Sequence, residues 1–151
     1  MTASAHTPRV LDVRAFPSRF ETEDDLEAFL ATPSRELVDD LARIDGDLMI
    51  LGVGGKMGPT LARLARNALP PERRVIAVAR FSEAGVRESL HAHGIETIAC
   101  DLLDAAAVTA LPKCANVVFM AVLLITALGV LLYLLVLLLE QLFITQDARI
   151  Q

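Results

Sequence analysis

A chain of 151 residues has room for one domain of ordinary size, which excludes a complete two-domain dehydrogenase or transporter. Hydrophobic residues make up 54% and charged residues 22%, and mean hydropathy is +0.48, which excludes disorder and points to a segment more apolar than a soluble core requires. With 14 basic against 19 acidic residues the net charge is -5, so no broad cationic surface exists and no nucleic-acid partner is expected. Cys100 and Cys114 are too few for a disulfide framework, and nothing in Met1 to His6 begins the apolar core of a signal peptide. A reduced, cytosolic setting is expected for the bulk of the chain.

Residues 1–46 read as a polar, helical extension broken by Pro8, Pro17 and Pro33. Thr22 with Asp25 forms an N-cap with an acidic first turn, after which Leu26, Phe29 and Leu30 share one helical face. Ser34 caps a second helix with Leu37, Leu41 and Ile44 as its apolar stripe and Gly46 as its terminator. From Asp47 the pattern becomes βαβαβαβ. Strands are predicted at Leu48 to Leu51, Arg74 to Ala79, Thr97 to Cys100 and Val117 to Ala121. Leu61, Leu64, Ala65 and Ala68 mark one crossover helix and Val86, Leu90 and His93 another, while Asp104 caps a short helix from Ala105 to Leu111. Such alternation predicts an α/β fold with a parallel sheet.

The chemistry-bearing motif is Gly52-Val53-Gly54-Gly55-Lys56-Met57-Gly58-Pro59, directly after the first strand and before a helix. A glycine-rich turn in that place lets backbone N–H groups approach a pyrophosphate, and the helix dipole favours the negative charge. Gly52 makes the tight turn, Gly55 admits the phosphate, Gly58 lets the helix pack on the strand, and Pro59 suits the first helical turn. The second strand ends Val78-Ala79-Arg80-Phe81 with no acid before Glu83, where an NAD binder carries one for the ribose 2'-hydroxyl. Arg80 can pair with a 2'-phosphate and Lys56 can add a second charge, which favours NADP over NAD; a solvated strand-end charge is the other reading of Arg80. His91, His93 and Cys100 lack zinc-site spacing, and no metal is expected.

These glycines resemble the Gly-x-x-Gly-x-x-Gly fingerprint of extended short-chain dehydrogenases, the NAD-dependent epimerase/dehydratase family. Asp101-Leu102 is similar to the aspartate-apolar pair those proteins place near the adenine, and Asn116 to Ala121 resembles their fourth strand. The resemblance implies a partial Rossmann unit over 47–121 with a bound dinucleotide, NADP or NAD, held by Gly52, Gly54, Gly55, Lys56, Met57, Gly58, Arg80, Asp101 and Leu102. The glycine loop is also similar to that of dihydrodipicolinate reductases. The family's catalytic Tyr-x-x-x-Lys has no counterpart here, because Tyr133 stands alone and Leu137 follows four residues later. No catalytic residue is assigned.

From Cys114 to Leu139 there is no charged residue, and Val117 to Leu139 as one helix would span roughly 35 Å against a hydrocarbon core of about 30 Å. A single transmembrane helix over 117–139 is therefore expected, with lipid as a partner, a cytoplasmic N-terminal domain and a polar tail at 140–151. Thr126 to Phe143 is faintly similar to the last membrane helix of ABC transporter permeases. Strand and span compete for Val117 to Ala121, and the expectation is that the helix takes them and leaves three strands. The reading leaves room for a membrane-anchored nucleotide-sensing module and for a homo-oligomer.

Overall fold

The computed structural model describes residues 9–12, 14, 16–120 and 122–147, with side chains of the last segment described over 128–141. Residues 1–8, Ala121 at the composition break, and 148–151 of the expected tail lie outside the described residues. The chain divides into two compact units, Met1–Met120 and Ala121–Gln151.

In the first unit, α1 (Glu23–Leu30) starts where the Thr22 hydroxyl accepts the Asp25 N–H, and α2 (Arg35–Ala42) where Ser34 accepts the Leu37 N–H. The chain then alternates β1 (Leu48–Leu51), α3 (Gly58–Ala68), β2 (Val75–Ala79), α4 (Val86–Ala92), β3 (Glu96–Ala99), α5 (Ala105–Thr109) and β4 (Asn116–Phe119). The four strands form one parallel sheet in the order β3-β2-β1-β4. Side chains on consecutive strand residues point to opposite faces. Leu48, Ile50, Val75, Ala77 and Ala79 accordingly pack with Ala62, Ala65 and Leu69 of the α3 segment and Leu90 of α4, while Met49, Ile76 and Val78 pack with Cys100 against Leu102, Ala107 and Leu111. The central strands β1 and β2 are covered on both faces, which explains their unbroken apolar sequences.

Helices α1 and α2 are fixed by polar contacts distant in sequence. Glu27 pairs with the largely buried Arg63 at 2.8 Å, and the Asn67 amide donates to the Ala31 carbonyl at 2.8 Å. Phe16 and Phe20 stack on Phe29 with ring centroids 5.4 and 5.1 Å away. Two arginines supply the missing C-terminal partners: Arg66 donates to the carbonyls of Leu69, Pro70 and Arg73 after α3, and Arg73 donates to that of Leu41 in the last turn of α2 and to those of Ile44 and Gly46 beyond it. Partial burial pulls the Arg66 guanidinium below the usual arginine value, against the pull of Glu72.

The C-terminal expectation is corrected. Residues 116–119 are strand, not helix: β4 pairs in parallel with β1 from Leu48↔Asn116 to Leu51↔Phe119, and the Asn116 amide anchors it on the carbonyls of Asp45 and Asp47. A fourth strand satisfies the otherwise open edge of β1, so the sheet keeps residues that a span from 117 to 139 would need. The second unit is α6 (Val122–Asp147), which takes residues 140–147 of the expected polar tail into a helix. Among the described residues no helix is long and apolar enough to cross a membrane. This overturns the transmembrane helix at 117–139, and with it the single-pass membrane placement.

Candidate functional site at the glycine turn

Strand β1 leaves the sheet through Gly52, whose φ of +85° is open to glycine and costly for other residues. A Cβ there would also stand 3.2 Å from the Met120 carbonyl oxygen, so the glycine lets the ends of β1 and β4 lie close together. The Gly52 and Val53 N–H groups both donate to the Val78 carbonyl, at 2.9 and 3.2 Å, which ties the turn to β2. Val53 is fully buried beneath the turn. Gly58 opens α3, and a Cβ on it would lie 2.0 Å from the Val53 carbonyl oxygen, inside backbone van der Waals contact. Glycine at 58 is therefore what lets α3 begin directly against the strand it follows.

Between these two anchors the loop is open. Gly55 has nothing within 4 Å of a built Cβ, Lys56 is exposed and Met57 is 75% exposed. Gly54 approaches β2, its built Cβ standing 3.2 Å from the Ala79 Cβ. Among the described residues the N–H groups of Gly54, Gly55, Lys56 and Met57 donate to no protein acceptor. Met57 caps α3 without a side-chain hydrogen bond, and no acid occupies the first turn. Four N–H groups without a protein acceptor thus precede the positive end of an 11-residue helix whose first turn holds no acid.

Sheet register gathers the other candidates at the same end. Arg80 directly follows β2, beside β1 in the pairing Leu51↔Val78, and is exposed. Asp101 and Leu102 follow β3, beside β2 in the pairing Ala79↔Ala99. They differ in what holds them. Leu102 packs under the sheet, and the exposed Asp101 carboxylate accepts the Leu103 N–H at 3.0 Å while its carbonyl accepts the Asp104 N–H. That makes Asp101 a turn-former as it stands. The histidines read for metal serve locally: His91 Nε2 pairs with the Thr97 hydroxyl at 2.6 Å and His93 Nδ1 with the Ser89 carbonyl at 2.7 Å.

The strand order places this end at a topological switch point. The chain winds outward from β1 through β2 to β3, then crosses to the far side of β1 for β4. In open α/β sheets the crevice beyond the carboxyl ends of the two strands flanking that reversal is the customary ligand site. Gly52 and Met120 stand on its two sides. Two cavities lie elsewhere, one of about 550 Å³ between residues 9–12 and α1 and a shallower one of about 510 Å³ along β3. Sequence reasoning did not single out Val53, Met120, Ala79 or Phe81, the last held at φ +50° just after Arg80 with the Arg87 guanidinium 6.0 Å over its ring. Nothing in local composition marks a phenylalanine for left-handed backbone. No family model, curated protein or solved structure matches the chain.

Proposed function

We propose that the first unit is a dinucleotide-binding module that takes the pyrophosphate of NADP, or less tightly of NAD, on the turn from Gly52 to Gly58. One observation carries the reading: the consecutive unpartnered N–H groups of Gly54 to Met57 at the start of α3. Neutral amides preorganised at a helix N-terminus replace the water around a phosphate without a reorganisation cost. Gly55 supplies the open approach and Lys56 the nearest cation. Arg80 at the end of β2 is the partner for a 2'-phosphate, since its fork can donate two hydrogen bonds to one phosphate. Asp101 and Leu102 border the same end of the sheet and are assigned to the adenosine side. The similarity of Gly52, Gly55 and Gly58 to the epimerase/dehydratase fingerprint points the same way.

The proposal stops at binding. The family's Tyr-x-x-x-Lys pair has no counterpart here, since the sequence's single tyrosine, Tyr133, is followed four residues on by Leu137, so no reaction step is assigned to this chain. Calorimetric titration of NADP into the full chain tests the reading. Saturable binding that Gly55→Asp abolishes, with helical content unchanged, is the expected result; equal heats for both proteins, or none for the parent, would refute it.

A further inference from the structure

The sheet has two edges, and they are finished differently. On β3, Glu96 opens the strand, and Arg87 and His91 of α4 reach across to Thr97 at 3.0 and 2.6 Å. Charge and side-chain cover of this kind blunt an edge against further pairing. Among the described residues strand β4 has neither. Val117, Val118 and Phe119 are 52, 39 and 63% exposed although they point alternately to opposite faces, and no charged residue occurs from Cys114 to Leu139.

The hydrogen-bond pattern of β4 is symmetric about its centre. The Met120 N–H donates to the Leu51 carbonyl, so by alternation Val118 also faces β1 while Val117 and Phe119 turn their N–H and C=O groups to the open side. An antiparallel partner must present outward groups at the same two-residue spacing. A second β4 does so when Val117 of one strand meets Phe119 of the other, which places Val118 opposite itself. Charge selects the same occupant. A chain of net charge -5 repels its own copy over most of its surface, and an uncharged strand is where two such copies meet without that cost.

We propose that β4 is the interface of a two-fold homodimer, in which the β4 strands of two copies pair antiparallel with Val118 on the axis and join two four-stranded sheets into one of eight. Four N–H···O bonds form, two for each Val117-Phe119 pair, and the Val118 side chains meet as a non-hydrogen-bonded pair. The strand's length of four residues closes the assembly as a pair, and the twofold uses up the free edge of both copies. This inference does not depend on the nucleotide site.

Register makes the test specific. Residues facing each other in a non-hydrogen-bonded antiparallel pair have Cα atoms about 4.5 Å apart, within disulfide reach, whereas two copies of residue 117 would lie roughly 8 Å apart. Full-length chains carrying Val118→Cys or Val117→Cys are oxidised beside the parent, whose own cysteines are Cys100 and Cys114. The proposal expects most of the Val118→Cys chain, and little of the other two, as a disulfide dimer on non-reducing gels. It also expects the parent to sediment at about twice its 16.3 kDa and Val118→Lys at the monomer mass, because two lysines would face each other on the axis. Equal cross-linking at 117 and 118, a dimeric Val118→Lys chain, or a monomeric parent would each overturn it, the first two being the result if the leucine-rich α6 drives association instead.

Discussion

The two ends of strand β1 are opposites. At its start Asp47 is matched on all sides: its carboxylate accepts the Arg74 N–H and its Nε at 2.8 Å each, its carbonyl takes the Cys114 thiol at 3.0 Å and the Asn116 amide at 3.1 Å, and Arg73 nearby closes the end of α2. At its finish the chain turns through Gly52 and leaves four N–H groups in a row without a protein acceptor. N–H groups in an exposed turn of this kind are met by water in the empty state and can be met by an anion in a bound one. One end of the strand therefore holds the fold together and the other is kept open, and the same helix, α3, is fastened at its far end by Arg66 and left uncapped at its near end.

Breaking that contrast gives effects of graded size. The largest is expected from Gly58→Ala, because the added Cβ meets the Val53 carbonyl at 2.0 Å and backbone cannot yield as a side chain can. A loss on the order of 4 kcal/mol or more, read as a collapse of the cooperative thermal transition, is predicted. Gly55→Ala is its control, since that Cβ enters open space, and a melting temperature within a few degrees of the parent is expected. Next is Arg73→Ala, which frees three carbonyls at and beyond the end of α2 at once; about 2 to 4 kcal/mol should disappear from the urea unfolding free energy with nucleotide affinity little changed. Arg80→Glu leaves stability alone, as Arg80 is exposed at a strand end, and is expected to lower NADP affinity by roughly 10- to 100-fold while NAD affinity changes far less.

The smallest effect is the pH response of the closed end. The Arg74 N–H and then the Arg74 side chain hold the Asp47 carboxyl below the usual aspartate range, and Asp47 in turn raises the Arg74 guanidinium. A carboxyl whose folded value is depressed adds stability above its unfolded value and loses it as pH falls through the folded one. Stability should thus be flat near neutrality and decline below about pH 4, with Asp47→Asn showing a shallower decline in acid-titrated circular dichroism. Glu36, lowered by its own backbone N–H and by Ser34, acts in the same direction.

Much of the first unit is legible in the sequence because its signals are local. The caps at Thr22, Ser34 and Asp104 follow from side-chain chemistry that acts over three residues, and β1 begins and ends at the apolar run Leu48 to Leu51. Gly52 and Gly58 are readable as turn and packing glycines since strand, glycines and helix are contiguous. What could not be read depends on distance. Arg63 meets Glu27 and Arg73 meets Leu41 across more than 30 positions, and no pattern within either segment announces it. The apolar run from 117 onward misled for a different reason: an uncharged stretch fits strand and helix equally, and only the free edge of β1, a property of the assembled sheet, assigns Asn116–Phe119 to β4. The N–H groups of Gly54 to Met57 belong to the same class, since lacking an acceptor is a fact about everything around them.

The central claim is that those four amides exist to meet a phosphate, and amide-resolved NMR tests it most directly. Adding NADP to the uniformly ¹⁵N-labelled full chain is predicted to move the backbone signals of Gly54, Gly55, Lys56 and Met57 first and furthest, saturably and downfield as neutral donors engage an anion. Signals at the Asp47 end of β1 should hardly move. If NADP at millimolar concentration leaves the four amides in place, or shifts the two ends of β1 alike, the turn is a structural connection and the nucleotide-binding account is contradicted.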